Sequence, residues 1–118
     1  MISEFENLMV WQKSHEQTLR IYSLTKEFPK EELFCVTNQI RRSAISIENN
    51  IAEGFGRRTK KDFSNFIHIS LGSLYETQCL LRICKDLNYI SLKIYDQVNE
   101  EYKTISYMLK KLITKLKN

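Results

Sequence analysis

Gly54-Phe55-Gly56, followed by Arg57, Arg58, Lys60 and Lys61, is the stretch whose residue types suit phosphate chemistry. Backbone N–H groups of a glycine turn with cations beside them can cradle a phosphate. A nucleotide-loop reading fails on context. The glycines follow a helical pattern instead of a strand, no third glycine stands at the right offset, and no Gly-Lys-Ser or Gly-Lys-Thr follows. A helix end and turn is left, with Gly54 expected as a left-handed cap. His15 and His68 are the only histidines, and no metal-ligand spacing accompanies them. His15 falls on an apolar stripe, which points to a histidine at the core or its edge. Cys35, Cys79 and Cys84 form no Cys-x-x-Cys pair and read as small buried thiols in a reducing compartment. Glu48 and Glu53 are carboxylates with no nucleophile linked to them. No catalytic residue, metal ligand or cofactor is assigned, and the expectation is a protein without enzymatic activity.

Charge is more informative than the net +4 suggests. Between residues 39 and 61, six cations (Arg41, Arg42, Arg57, Arg58, Lys60, Lys61) face only Glu48 and Glu53. Lys110, Lys111, Lys115 and Lys117 then crowd the last nine residues without an acid. Both stretches could neutralise phosphates of RNA or DNA. A solvated helix surface is the plainer reading, and composition leaves both open.

The elements that must position these residues are helices. The chain has 118 residues, 3 glycines and 1 proline, which suits one domain with few loops. Apolar residues recur at 3-4 spacing in four segments. The first stripe is Leu8, Trp11, His15, Leu19, Tyr22 and Thr25, ended by Phe28-Pro29. The second is Leu33, Val36, Ile40, Ala44, Ile47 and Ile51. Thr59 with Asp62 reads as a capping box opening the third, which is Phe63, Ile67, Ser70, Leu74, Thr77, Leu81 and Cys84. Asn88 is a plausible cap after Leu87. Ser91 opens the fourth, with Ile94, Val98, Glu101 or Tyr102, Ile105, Leu109, Leu112 and Leu116. Helices over about 7–27, 30–53, 60–87 and 91–117 with short connections predict an all-α, antiparallel up-down-up-down four-helix bundle. No apolar run of about 18 residues is present, so no membrane span is expected. The opening Met1-Ile2-Ser3-Glu4 does not resemble a signal peptide, and the cytoplasm is the expected compartment.

These residues together resemble a known family, the four-helix proteins encoded by intervening sequences within bacterial 23S ribosomal RNA genes. Phe5-Glu6-Asn7-Leu8-Met9-Val10-Trp11-Gln12 is similar to the family opening, and Tyr22-Ser23-Leu24-Thr25-Lys26-Glu27-Phe28-Pro29 to its next element. Gln39-Ile40-Arg41-Arg42-Ser43-Ala44-Ile45-Ser46-Ile47, then Asn50-Ile51-Ala52-Glu53-Gly54, is the most characteristic part. Gly72-Ser73-Leu74-Tyr75-Glu76 and Leu87-Asn88-Tyr89-Ile90 complete the resemblance, which runs from Phe5 to about Leu112. Cys35 stands where the family commonly has glycine, and Ser43 where alanine is common. The resemblance implies a homopentameric barrel or ring without established enzymatic activity. It also implies kinship to the accessory protein of diversity-generating retroelements. Members of that branch associate with a reverse transcriptase and with nucleic acid.

Three expectations follow for the structure. Apolar residues left off the stripes (Val10, Ile21, Phe34, Ile45, Phe55, Phe66, Ile69 and Tyr75) are candidates for an interface between copies. Arg42 and Glu76 are expected to pair across the second and third helices, with Gln39 or Ser73 assisting and Glu53 as a rival partner. Arg41, Arg57, Arg58, Lys60, Lys61, Lys110, Lys111, Lys115 and Lys117 are the candidate phosphate contacts. In an antiparallel bundle, the turn after the second helix and the end of the fourth share one end.

Overall fold

Helix-forming periodicity resolves into α1 (Met9–Thr25), α2 (Val36–Phe55), α3 (Lys60–Asp86) and α4 (Leu92–Leu116), with 3-10 turns at Phe5–Asn7 and Lys30–Glu32. The computed structural model describes residues 4–117. Each helix packs on two neighbours: α1 on α2 and α4, and α3 on α2 and α4. Successive helices run antiparallel, because the partners descend in number as the helix rises. Ser43 meets Thr77, Ser46 meets Ser73, and Gly54 meets Phe66 along α2 and α3. Lys85 meets Tyr95, Gln78 meets Asn99 and Tyr75 meets Lys110 along α3 and α4. The result is an up-down-up-down bundle measuring 45 × 24 × 21 Å.

Capping follows the local sequence. The Thr59 hydroxyl accepts the Asp62 N–H at 3.1 Å, and the Ser91 hydroxyl accepts that of Ile94 at 3.1 Å, satisfying donors the first turns leave open. Asn88 adopts φ 63° beyond α3, and the Tyr89 N–H reaches back to the Cys84 carbonyl at 2.9 Å. That is the left-handed helix ending for which Asn, after Gly, is suited.

Gly54 does a different job from the one its position suggests. It lies inside α2, and no glycine among the described residues has positive φ. A β-carbon there would come within 3 Å of Phe63 and Phe66, so Gly54 permits close approach of α2 and α3. Gly72 has open space around it, and helix contact within the chain does not explain it.

The core stripes of α3 and α4 follow the hydrophobic pattern, with Tyr102 instead of Glu101 turned inward. The α1 stripe does not. Val10, Ser14, Gln17, Thr18, Ile21 and Thr25 are buried, whereas Leu19 and Tyr22 are exposed. The reason is local hydrogen bonding. Ser14, Thr18 and Thr25 donate their hydroxyls to the carbonyls of Val10, Ser14 and Ile21 at 2.7, 3.1 and 2.7 Å, so polar side chains enter the core satisfied. Val10 and Ile21 are thereby core residues and not interface candidates. The start of α2 also moves, from an expected 30 to Val36. Lys30–Glu32 closes a 3-10 turn, Cys35 is non-helical at φ −120°, ψ −115°, and Leu33 is left exposed. Tyr89 anchors that turn by donating to Glu32 Oε2 at 2.7 Å.

Among the cysteines only Cys84 is buried, where desolvation pushes its thiol pKa up to about 11; Cys35 and Cys79 are exposed, against expectation.

Candidate nucleic-acid interface

The basic segment begins where α2 stops. Gly56 caps α2 with an ordinary right-handed conformation (φ −80°), so the two glycines form a helix end and no phosphate loop. Arg57 and Arg58 occupy the turn and are exposed. The Arg57 guanidinium lies 4.7 Å from the Phe66 ring centroid and 3.7 Å from Glu53, which fixes its direction. Thr59 then starts α3, whose first turn carries Lys60 and Lys61. The last turn of α4 arrives beside it. Lys60, Lys61, Ser64 and Asn65 of α3 line one groove of about 370 Å³ with Leu116 and Lys117. Antiparallel packing thus joins two basic stretches that lie some fifty residues apart in sequence.

The other candidate cations divide. Lys111 and Lys115 face the α1 side and line a groove of about 540 Å³ with Leu8, Met9, Val10 and Met108. Lys110 turns toward α3, with Nζ 5.8 Å from the Tyr75 ring centroid, and Lys111 Nζ lies 5.5 Å from that of Tyr107. Arg41 does not join the basic end. Its Nε donates to Thr25 Oγ1 at 2.8 Å, its guanidinium sits over Tyr22 at 4.7 Å, and it shares a pocket with Pro29 and Lys30 near the opposite end. Arg41 stands near the start of α2, about 20 Å along the axis from the turn that holds Arg57, and lies on the flank of α2 against α1 instead of facing outward.

The expected Arg42–Glu76 pair is not formed within the chain. Both side chains are exposed, and neither makes an ion pair. Gln39 is exposed as well, Glu53 turns to Arg57, and Ser73 bonds instead to the Ser46 hydroxyl at 2.8 Å. Small residues let α2 and α3 come close, but the seam is tied by hydroxyls, with Ser70 also donating to the Ile47 carbonyl at 2.8 Å. Arg42, Ile45, Ser46, Asn49, Asn50 and Glu53 line an open groove of about 350 Å³ on the outer side of α2.

One polar constellation escapes the sequence reading. His15 Nδ1 lies 2.8 Å from Glu48 Oε2, and the His15 ring stacks on Trp11 with centroids 4.8 Å apart. Glu48 is 7 % exposed, and its Oε1 has no partner; the same is true of the wholly buried Tyr102 hydroxyl. Burial, then the Glu48 charge, raises the Tyr102 pKa. The available signal was Glu48 itself. It sits four residues after Ala44 and three before Ile51, and a carboxylate there needs a partner. Among the described residues, no group of three or more His, Cys, Asp or Glu could hold a metal ion. No described helix is long and apolar enough to cross a membrane.

Comparison with known proteins agrees with this architecture. Residues 6–111 match the family model described as 23S rRNA-intervening sequence protein. A solved structure of a protein with unknown function from the S23 ribosomal protein family of Bacteroides thetaiotaomicron is similar, with a TM-score of 0.83 and 31% identity. The similarity covers 89% of this chain and 98% of that one. No curated protein matches the chain. Neither description names an enzymatic reaction.

Proposed function

The chain belongs to the 23S rRNA-intervening sequence protein family, and on that footing we propose a non-enzymatic, cytoplasmic, self-associating scaffold that holds RNA or DNA phosphates at its basic bundle end. The observation that carries this reading is the groove in which Lys60 and Lys61 of α3 meet Lys117 beyond α4. Arg57 and Arg58 stand in the adjoining turn, and the positive end of the α3 dipole adds to the field. These groups suit phosphate and carry no base-reading pattern, so contact is weakly sequence-selective and strongly salt-dependent.

Assembly as a homopentameric ring multiplies a weak phosphate contact. The outer α2–α3 face supports self-association: Ile69 is 53% exposed, Ile83 is also exposed, Gly72 leaves room beside them, and Arg42 and Glu76 are unpaired there. Light scattering of the purified protein tests the assembly, and a monodisperse mass near 14.1 kDa overturns it.

Fluorescence anisotropy with labelled RNA and DNA, from about 50 to 300 mM salt, tests the phosphate contact. Changing Arg57, Arg58, Lys60 and Lys61 together to Gln should abolish most binding and flatten the salt slope by about 3 log units per log unit for a single strand. No binding by the assembled protein at the lowest salt overturns the nucleic-acid role. The second reading, a purely protein-interaction module, then stands on the same exposed α3 face.

A further inference from the structure

Tyr75 and Tyr107 are set among lysines in a way that phosphate contact alone does not use. Tyr75 on α3 is 46% exposed and Tyr107 on α4 is 63% exposed. Single exposed tyrosines are ordinary. These two each carry an ammonium within cation–π range: Lys110 Nζ is 5.8 Å from the Tyr75 centroid and Lys111 Nζ is 5.5 Å from the Tyr107 centroid. Tyr107 precedes Lys110 by three residues and Lys111 by four, and so stands between them on the outer side of α4, with Lys110 toward α3 and Lys111 toward α1. Hydrogen bonding from Lys110, then from Ser106, holds the Tyr75 phenol below its ordinary pKa, which ties that ring to α4.

The cluster continues the basic groove. Tyr75 lies eleven residues after Ser64, a groove residue. At 3.6 residues per turn the two fall on the same side of α3, about 16 Å apart. The seam therefore runs from Lys60, Lys61 and Lys117 at the bundle end to Tyr75 and Lys110, and Tyr107 stands beside it on the outer side of α4. A cation above part of a half-exposed ring leaves the rest of that ring to a flat aromatic ligand, and the cation to a phosphate next to it. Among nucleic acids, only those with unstacked bases can use both. In a duplex the base faces are already stacked, and freeing one costs a few kcal/mol.

We propose that a single-strand track runs along the α3–α4 seam and onto the outer side of α4, in which Tyr75 at the seam and Tyr107 on the outer side stack bases while Lys110 and Lys111 hold the flanking phosphates. The proposal rests on the nucleic-acid reading above and names its ligand class: single-stranded RNA or DNA. Stacking is sequence-tolerant, because every base has an aromatic face.

The test uses the full-length assembled protein with fluorescein-labelled oligo-U, oligo-dT and a DNA duplex of equal length at about 50 mM salt. Single strands should bind tighter than the duplex. Tyr75→Ala and Tyr107→Ala should each weaken single-strand binding roughly fivefold to 100-fold. Duplex binding and the salt slope should change little, because no phosphate contact is lost. Tyr75→Phe and Tyr107→Phe should keep single-strand affinity. Circular dichroism and light scattering confirm that the variants fold and assemble. Equal affinity for duplex and single strand, or wild-type single-strand affinity in both alanine variants, overturns the track and leaves the phosphate contact standing. No binding of any of the three probes overturns the phosphate contact and the track together.

Discussion

Gly54 of α2 and Phe66 of α3 are in contact so close that a β-carbon on Gly54 would stand 2.8 Å from the Phe66 β-carbon. The two helices cross here at the last turn of α2, just before the basic segment. Their approach sets where Arg57 leaves the bundle, because Arg57 rests on the same phenylalanine ring.

Gly54→Ala should therefore destabilise by about 1–3 kcal/mol through overpacking, although alanine is the better helix former. Gly72→Ala should stabilise by about 0.5–1 kcal/mol, since its β-carbon meets nothing within 4 Å. Urea midpoints of the two variants should move in opposite directions. Shifts of the same sign refute the assignment of Gly54 to close packing.

His15→Ala should cost about 1–3 kcal/mol, because it leaves the buried Glu48 carboxylate without its hydrogen bond. Glu48→Gln should cost less, as an amide can still bond the imidazole and carries no charge. Trp11, the only tryptophan, stacks on His15 and should report the loss as a change in fluorescence. An unchanged unfolding midpoint for His15→Ala sinks this account of the pair.

Alkaline stability should depend on Tyr89. Its hydrogen bond to Glu32 raises the phenol pKa from 10.0 to about 12, because the carboxylate accepts only from the neutral form. A raised folded-state pKa means the contribution is whole below about pH 10 and is lost as pH climbs to about 12. Tyr89→Phe should remove that part of the pH dependence and free the Lys30–Glu32 turn. Identical stability profiles for the wild type and Tyr89→Phe between pH 9 and 12 would show that the bond contributes nothing.

Helices α3 and α4 are legible in the sequence because Ile67, Leu74, Leu81, Val98, Ile105 and Leu109 repeat at helical spacing and all lie in the core. Their caps are equally plain in Thr59, Asn88 and Ser91. The buried face of α1 is legible only at Thr25, since Ser14 and Thr18 satisfy themselves on their own helix and leave no apolar signature. The convergence of Lys60 and Lys61 with Lys117 is readable from antiparallel order alone. The direction of a flank residue such as Arg41 is not readable, because a shift of one position on the wheel moves it from solvent to Thr25 and Tyr22. The setting of Tyr75 in the α3–α4 seam stays hidden for a similar reason: Tyr75 and Lys110 are far apart in sequence, and only the pairing of the two helices brings them together.

The seams of the bundle are unequal. Ser43 with Thr77, Ser46 with Ser73, and Ser70 with Ile47 tie α2 to α3 in three consecutive rungs. Of the four adjacent helix pairs, α1 and α4 meet least extensively, with an open groove at one end and the exposed Arg20–Gln97 bond farther along. The molecule is built like a book whose spine is α2–α3 and whose covers meet at α1–α4. Local opening should start at the covers, so that amide protons of α1 are expected to exchange before those of the spine. The residues of α3 proposed to hold nucleic acid ride on the part of the protein expected to open last.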